Sequence, residues 1–134
     1  MAESKKRILI LDDEKDICEI LKHRFLKFGF EVSVAYDGKE GFDKILQETT
    51  DCVILDIRIQ GGEDGLTFLR RLRSFRDDDA KVQERIRKIP VIVLTATGQN
   101  MKPLFEMEGI NDFMEKPFDA AHLKDRVLKI LSKK

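Results

Sequence analysis

Three aspartates, one threonine and one lysine stand at or just past the ends of short apolar runs. Asp12 and Asp13 close Ile8–Leu11 in "RILILDDEKD". Asp56 closes "CVIL", Thr95 closes "VIVL", and Lys116 lies just beyond Ile110–Met114 in "FMEKPF". Carboxylates gathered in one crevice repel and raise each other's pKa unless a cation sits among them. An oxygen-only ligand set suits a hard divalent ion. Mg²⁺ needs only one or two protein carboxylates and leaves positions for water and phosphate oxygens. A carboxylate also serves as nucleophile in phosphoryl transfer, forming an aspartyl phosphate. Asp56, at the end of the central apolar run, is the candidate nucleophile. Lys116 would balance the charge of the phosphoryl group and Thr95 would donate a hydrogen bond to it.

For these residues to meet, the runs must be strands whose carboxyl ends share one rim. The candidates are Ile8–Leu11, Val32–Ala35, Cys52–Leu55, Val91–Leu94 and Ile110–Met114. "ILIL", "CVIL" and "VIVL" are continuous rather than alternating, as in parallel strands buried on both faces. "EVSVAY" alternates, which suits an edge. Amphipathic stretches separate the runs. Ile17, Ile20, Leu21, Phe25 and Phe28 recur at helical spacing before Gly29, a helix stop. Phe42, Ile45 and Leu46 follow the opener Asp37-Gly38. Leu66, Leu69 and Leu72 mark a third helix. Met101 to Glu108 is a fourth, with Pro103 near its start. Leu123, Val127, Ile130 and Leu131 mark a fifth, ending in a basic tail that suits a helix C-terminus. Five strand–helix units in alternation predict a doubly wound α/β fold with a five-stranded parallel sheet and right-handed crossovers.

A length of 134 residues suits one domain, 1–134, with its core over about 6–132. Lys and Arg number 25, as do Asp and Glu, so no net charge draws the chain to nucleic acid or an anionic membrane. "MAESKKR" lacks the apolar core of a secretory signal, and no apolar run approaches a membrane span. Cys18 and Cys52 form no CxxC pair and read as buried free thiols in a reducing, cytoplasmic setting. His23 and His122 read as surface residues. Phe105 reads as core, while Met101 and Met107 stay open between core and a partner face. The stretch 73–88, "RSFRDDDAKVQERIRK", exceeds a normal connection. It predicts a solvated extension of the third helix, with a turn at Asp77–Asp79, away from the acidic rim; a partner-specific docking feature is the alternative reading.

"LDDE", "ILDIR", "LTA" and "EKPF", in this order and spacing, resemble the CheY-like response-regulator receiver domains of bacterial two-component signalling. The likeness runs from about Lys6 to about Ser132. It implies a flavodoxin-like sheet of order 2-1-3-4-5. It implies that Asp56 accepts a phosphoryl group, that Asp13, Asp56 and the Arg58 carbonyl hold Mg²⁺ directly, and that Asp12 acts through metal-bound water. Thr95 and Lys116 would bind phosphoryl oxygens, with Ala96 small enough to allow access. Lys116-Pro117 matches a cis peptide that aims the lysine. Phe113 matches the switch aromatic, turning inward as Thr95 shifts. The implied partners are a sensor histidine kinase or phosphotransfer protein upstream and a protein target downstream, without nucleic acid or membrane. The chain would be a monomer or a phosphorylation-linked dimer, and not a turnover enzyme on an external substrate.

The resemblance has two departures. In "DIRIQGGEDG", Gln60 stands where the family usually has proline, with one extra residue and a permissive Gly61-Gly62 pair. The charged stretch 73–88 is the other. Arg58 and Thr97 are candidates for tuning hydrolysis of the phosphoryl group. Two rival readings stay open. One is a phosphate-independent interaction module on the same fold. The other is a hydrolase, which would commonly carry a second aspartate where this chain has Arg58.

Overall fold

A computed structural model describes residues 5–58, 64–96, 101–116 and 119–132. Gln60, Gly61, Gly62, Thr97 and Pro117 lie outside the described residues. The elements run β1 (Arg7–Leu11), α1 (Lys15–Lys27), β2 (Glu31–Ala35), α2 (Gly38–Gln47), β3 (Cys52–Asp56), α3 (Gly65–Arg73), α4 (Ala80–Arg87), β4 (Val91–Thr95), α5 (Lys102–Glu108), β5 (Asp112–Glu115) and α6 (Ala120–Leu131). All strands are parallel, in the order β2-β1-β3-β4-β5.

The continuous runs are the inner strands, and the alternating β2 is an edge, as the pattern predicts. Every residue of β3 and β4 is buried, whereas β2 alternates between half-buried and buried after Glu31. Strand side chains alternate between the two faces. Leu9, Leu11, Val53, Leu55, Val91 and Val93 therefore form one core with residues of α2, α3, α4 and α5. Ile8, Ile10, Ile54, Ile92 and Leu94 form a second with α1 and α6. Both cysteines are buried and free. Gly29 adopts φ +96 just after α1, confirming the predicted stop.

Among the described residues there are six helices where the sequence predicts five. Residues 73–88 do not extend α3, which ends at Ser74. Asp79 opens a separate helix, its carboxylate accepting from the N–H groups of Lys81 and Val82 at 2.8 and 3.3 Å. The charged stretch hides an apolar stripe: Ile86 and Ile89 are buried and Val82 packs against the core. Arg73 pins this helix from α3. Its guanidinium donates to the carbonyls of Arg87 and Ile89 at 2.7 Å each, and to that of Gly109 at 2.9 Å. As α4 leads into the start of β4, it lies at the end of the sheet away from Asp56. β5 also begins later than predicted. Asn111 exchanges two hydrogen bonds with the Val91 backbone, its N–H to the carbonyl at 2.8 Å and its Oδ1 from the N–H at 3.0 Å. Ile110 therefore precedes the strand.

Candidate functional site

The parallel register carries the polar residues to one rim. Leu11 lies beside Leu55, Asp56 beside Leu94 and Thr95 beside Glu115. Asp12 follows β1 and donates its N–H to the Ala35 carbonyl at 3.2 Å. The Lys116 N–H donates to the Thr95 carbonyl at 2.7 Å, so the β4–β5 ladder sets the lysine at the same edge.

Its ammonium sits among the carboxylates. Lys116 Nζ lies 2.9 Å from Asp12 Oδ2 and 3.0 Å from Asp56 Oδ2, with all three side chains less than a tenth exposed. Glu14 Oε1 is 3.4 Å away on the solvent side. The Arg58 N–H donates to the other Asp56 oxygen, Oδ1, at 3.2 Å, which fixes the carboxylate's rotation. The Glu14 N–H does the same for Asp12 Oδ1 at 2.9 Å. Asp12, Asp13, Glu14 and Asp56 each offer an oxygen within 4.8 Å of one another. This all-oxygen cluster fits a hard divalent cation, and a single lysine leaves most of its negative charge uncompensated.

Of the predicted site residues, Asp12, Asp13, Asp56 and Lys116 converge, Thr95 is buried at the end of β4, and Ala96 is exposed beside them. The Ala96 methyl lines an open groove of about 620 Å³ with Lys116, Glu14 and Ile17, Ile20 and Arg24 of α1. Phe113 is half-buried and packs on Phe105, ring centroids 6.2 Å apart, in the core beneath α5. Phe105 is core, as predicted, and Met107 is exposed. His23 and His122 are exposed, with Arg126 Nε donating to His122 Nε2 at 3.2 Å. Glu14 is the rim residue that strand-end reasoning missed. It follows the paired aspartates directly, where a charged residue reads as ordinary helix-start composition.

Burial raises the Asp12 pKa above the carboxylate norm. That effect exceeds the opposite pull of the Glu14 N–H and of Lys116, and the Asp56 charge adds to it. Asp13 is raised as well, by burial and then by the charges of Asp12 and Glu14. Burial disfavours charged Lys116, yet its hydrogen bonds to Asp12 and Asp56 win and raise its pKa. Beneath the rim, burial pushes the Cys18 thiol up to about 12, so it is chemically quiet.

A pH dependence follows. Folded Asp12 and Asp13 bind protons more tightly than the unfolded chain, so these groups make stability fall as pH rises from the ordinary carboxylate range through their raised values. The Lys116 contribution is constant there, because it is lost only above the lysine's unfolded pKa. In EDTA, the urea midpoint should therefore include a component that declines as pH rises above the ordinary carboxylate range. Asp12→Asn should flatten this component and raise stability at neutral pH. An unchanged profile in Asp12→Asn would remove Asp12 as its source.

Comparison with known proteins agrees with this geometry. The family model for the response regulator receiver domain matches residues 8–128. A candidate response regulator from Chloroflexus aurantiacus J-10-fl superposes with TM-score 0.83 at 30% identity, covering 97% of this chain and 100% of that one. The receiver domain of the Francisella response regulator 1452 gives 0.80 at 28% identity, covering 96% and 98%. The receiver domain of a sensor histidine kinase from Pseudomonas aeruginosa PAO1, which has magnesium coordinated in its active-site cleft, gives 0.81 at 24% identity, covering 97% and 100%. The chain belongs to the response regulator receiver domain family, with the flavodoxin-like fold of that family. Among the described residues, no helix is long and apolar enough to cross a membrane.

Proposed function

We propose that this receiver accepts a phosphoryl group on Asp56 and thereby switches a partner-binding surface. The observation that carries the reading is the placement of a single ammonium, Lys116, against both Asp12 and Asp56 at the carboxyl edge of the sheet. Asp56 is held by the Arg58 N–H at one oxygen and by Lys116 at the other, so its orientation is set before a donor arrives. An Asp56 oxygen attacks phosphorus, the new P–O bond forms, and the donor's leaving group departs with its electron pair. Lys116 then moves its hydrogen bonds to phosphoryl oxygens, where negative charge accumulates. Asp13 and Asp56 would hold Mg²⁺ directly with the Arg58 carbonyl, and Asp12 would act through metal-bound water. The ion, when bound, supplies charge neutralisation for the transferred group.

The donor is a phosphohistidine of a sensor kinase or phosphotransfer protein. The groove beside Lys116 supports a protein donor, because Ile20 on its wall is 60% exposed and offers an apolar seat next to the nucleophile. Downstream, Thr95 drawn toward the phosphoryl group frees space for Phe113 to turn inward, which alters the face made by α5, β5 and α6. The chain acts on itself and does not turn over an external substrate.

Intact-mass spectrometry after incubation with Mg²⁺ and acetyl phosphate tests the assignment. A single Mg²⁺-dependent phosphoryl adduct is expected on the wild type and none on Asp56→Asn. An adduct that persists in Asp56→Asn would place the acceptor elsewhere. If the wild type takes neither the adduct nor beryllofluoride, the switch reading fails.

A further inference from the structure

Glu14 has no part in the reaction above, and its side chain leaves a helix-capping role unfilled. It is the N-cap of α1, with extended backbone at φ −89 and ψ 106, and its side chain makes no capping hydrogen bond. Short polar side chains are favoured there because their oxygen reaches a free helix N–H. Asp37, Asp64, Asp79 and Asp119 each do so, for α2, α3, α4 and α6. Glu14 instead directs its carboxylate at Lys116 Nζ, 3.4 Å away. Its side chain is 55% exposed against 8% for the lysine, so it pulls from the solvent side while Asp12 and Asp56 hold from within.

Resting on the phosphoacceptor reading, we propose that Glu14 is a positioning residue that retains Lys116 among the carboxylates and slows phosphoryl transfer to Asp56. The lysine must give up carboxylate contacts to reach the phosphoryl oxygens, so each further carboxylate deepens the state it leaves. Glu14 also lines the groove mouth with Ala96, where its charge repels an anionic donor as it enters. When acetyl phosphate is the donor, the P–O bond to acetate breaks, acetate leaves with the electron pair, and Asp56 gains the new P–O bond. Glu14 takes part in neither bond. Its effect is electrostatic, and the exposure of its side chain limits it to that of a surface pair, roughly two- to five-fold in rate.

Glu14→Gln and Glu14→Ser, assayed at saturating Mg²⁺ with acetyl phosphate by time-resolved intact mass, test the proposal. Both should phosphorylate two- to five-fold faster, at lower half-saturating donor, with the gain shrinking as salt rises. Serine supplies the missing cap and should raise the thermal midpoint, whereas glutamine should not. Rates that rise together while stabilities diverge separate positioning from folding. In metal-free protein the Lys116 ammonium resonance, followed by ¹⁵N NMR, should shift in Glu14→Gln. Variant rates equal to or below the wild type at saturating Mg²⁺ overturn the proposal. So does an effect confined to the Mg²⁺ half-saturation point, which would make Glu14 a metal-site residue. A wild type that takes no phosphoryl group overturns the functional reading and this proposal together, whereas variants that merely match an active wild type overturn this proposal alone.

Discussion

Lys116→Met is expected to cost the metal-free protein about 3 kcal/mol at neutral pH, because it leaves two buried carboxylates without their shared cation. Methionine keeps most of the lysine's length and apolar stem, so packing changes little and the loss is largely electrostatic. The Lys116 ammonium makes charge-assisted bonds of 2.9 and 3.0 Å to Asp12 and Asp56, whose side chains are only 3% and 6% exposed. Without it, Asp12 loses a lowering influence on a pKa already raised by burial and by Asp56. The penalty should therefore shrink toward mildly acidic pH, where a proton replaces the missing charge. Mg²⁺ should recover part of it at neutral pH by mass action. Phosphorylation should fall by roughly 10²–10³-fold at saturating Mg²⁺, the scale of losing one preorganised donor to a developing oxyanion. Urea denaturation with EDTA or Mg²⁺ at both pH values, beside an exposed control such as Lys102→Met, measures the stability effect. If Lys116→Met matches the control within about 1 kcal/mol at neutral pH, the lysine is not the electrostatic centre of the rim.

How legible these features were depends on which physical signal each one leaves in the chain. Asp12, Asp13, Asp56 and Thr95 could be placed together because continuous apolar runs mark strands buried on both faces. In a parallel sheet the ends of such strands share an edge. Lys116 followed by the same rule, although its strand begins at Asp112 rather than Ile110. That shift arises from the Asn111 side chain, which mimics a backbone partner for Val91, a substitution periodicity does not register. Helix α4 reads in the sequence as a solvated extension because Val82, Ile86 and Ile89 are interrupted by charges. Its anchors also include Arg73, a cation that works by donating to carbonyls rather than by pairing with acids. Glu14 leaves no such signal for a different reason. A glutamate at a helix start is common, and only coordinates reveal that it forgoes the cap for a lysine more than a hundred residues away.

Gly65 shows the same limit at the phosphoacceptor itself, and Gly65→Ala is the second substitution with a large expected effect. The Asp64-Gly65 pair is recognisable as the start of α3, with the Asp64 carboxylate capping the Thr67 N–H at 2.8 Å. The need for glycine is steric and invisible in one dimension. A Cβ at Gly65 would lie 2.5 Å from the Asp56 carbonyl oxygen, 3.0 Å from Ile57 Cα and 3.2 Å from the Ile57 oxygen. All three are backbone atoms next to the nucleophile, and none can swing aside as a side chain would. The Gly65 N–H also donates to the Ile57 carbonyl at 2.6 Å, tying α3 to the strand end. An added methyl must therefore lever α3 away from β3 or displace Asp56. Gly41 provides the contrast. Its added Cβ would meet Phe68 and Leu11 side-chain atoms at 3.1 and 3.2 Å, contacts that small rotations relieve. Overpacking costs about 1–3 kcal/mol, and a rigid backbone obstacle puts Gly65→Ala at the upper end and Gly41→Ala near or below the lower. Because Asp56 moves with its carbonyl, Gly65→Ala should also lose about 10²-fold or more in phosphorylation rate, the scale for misplacing a nucleophile by an ångström. Gly41→Ala should keep its rate. Urea midpoints and acetyl phosphate labelling of both variants decide the matter. Equal stability and equal labelling would mean that the close approach of α3 to Asp56 is not what holds the acceptor in place.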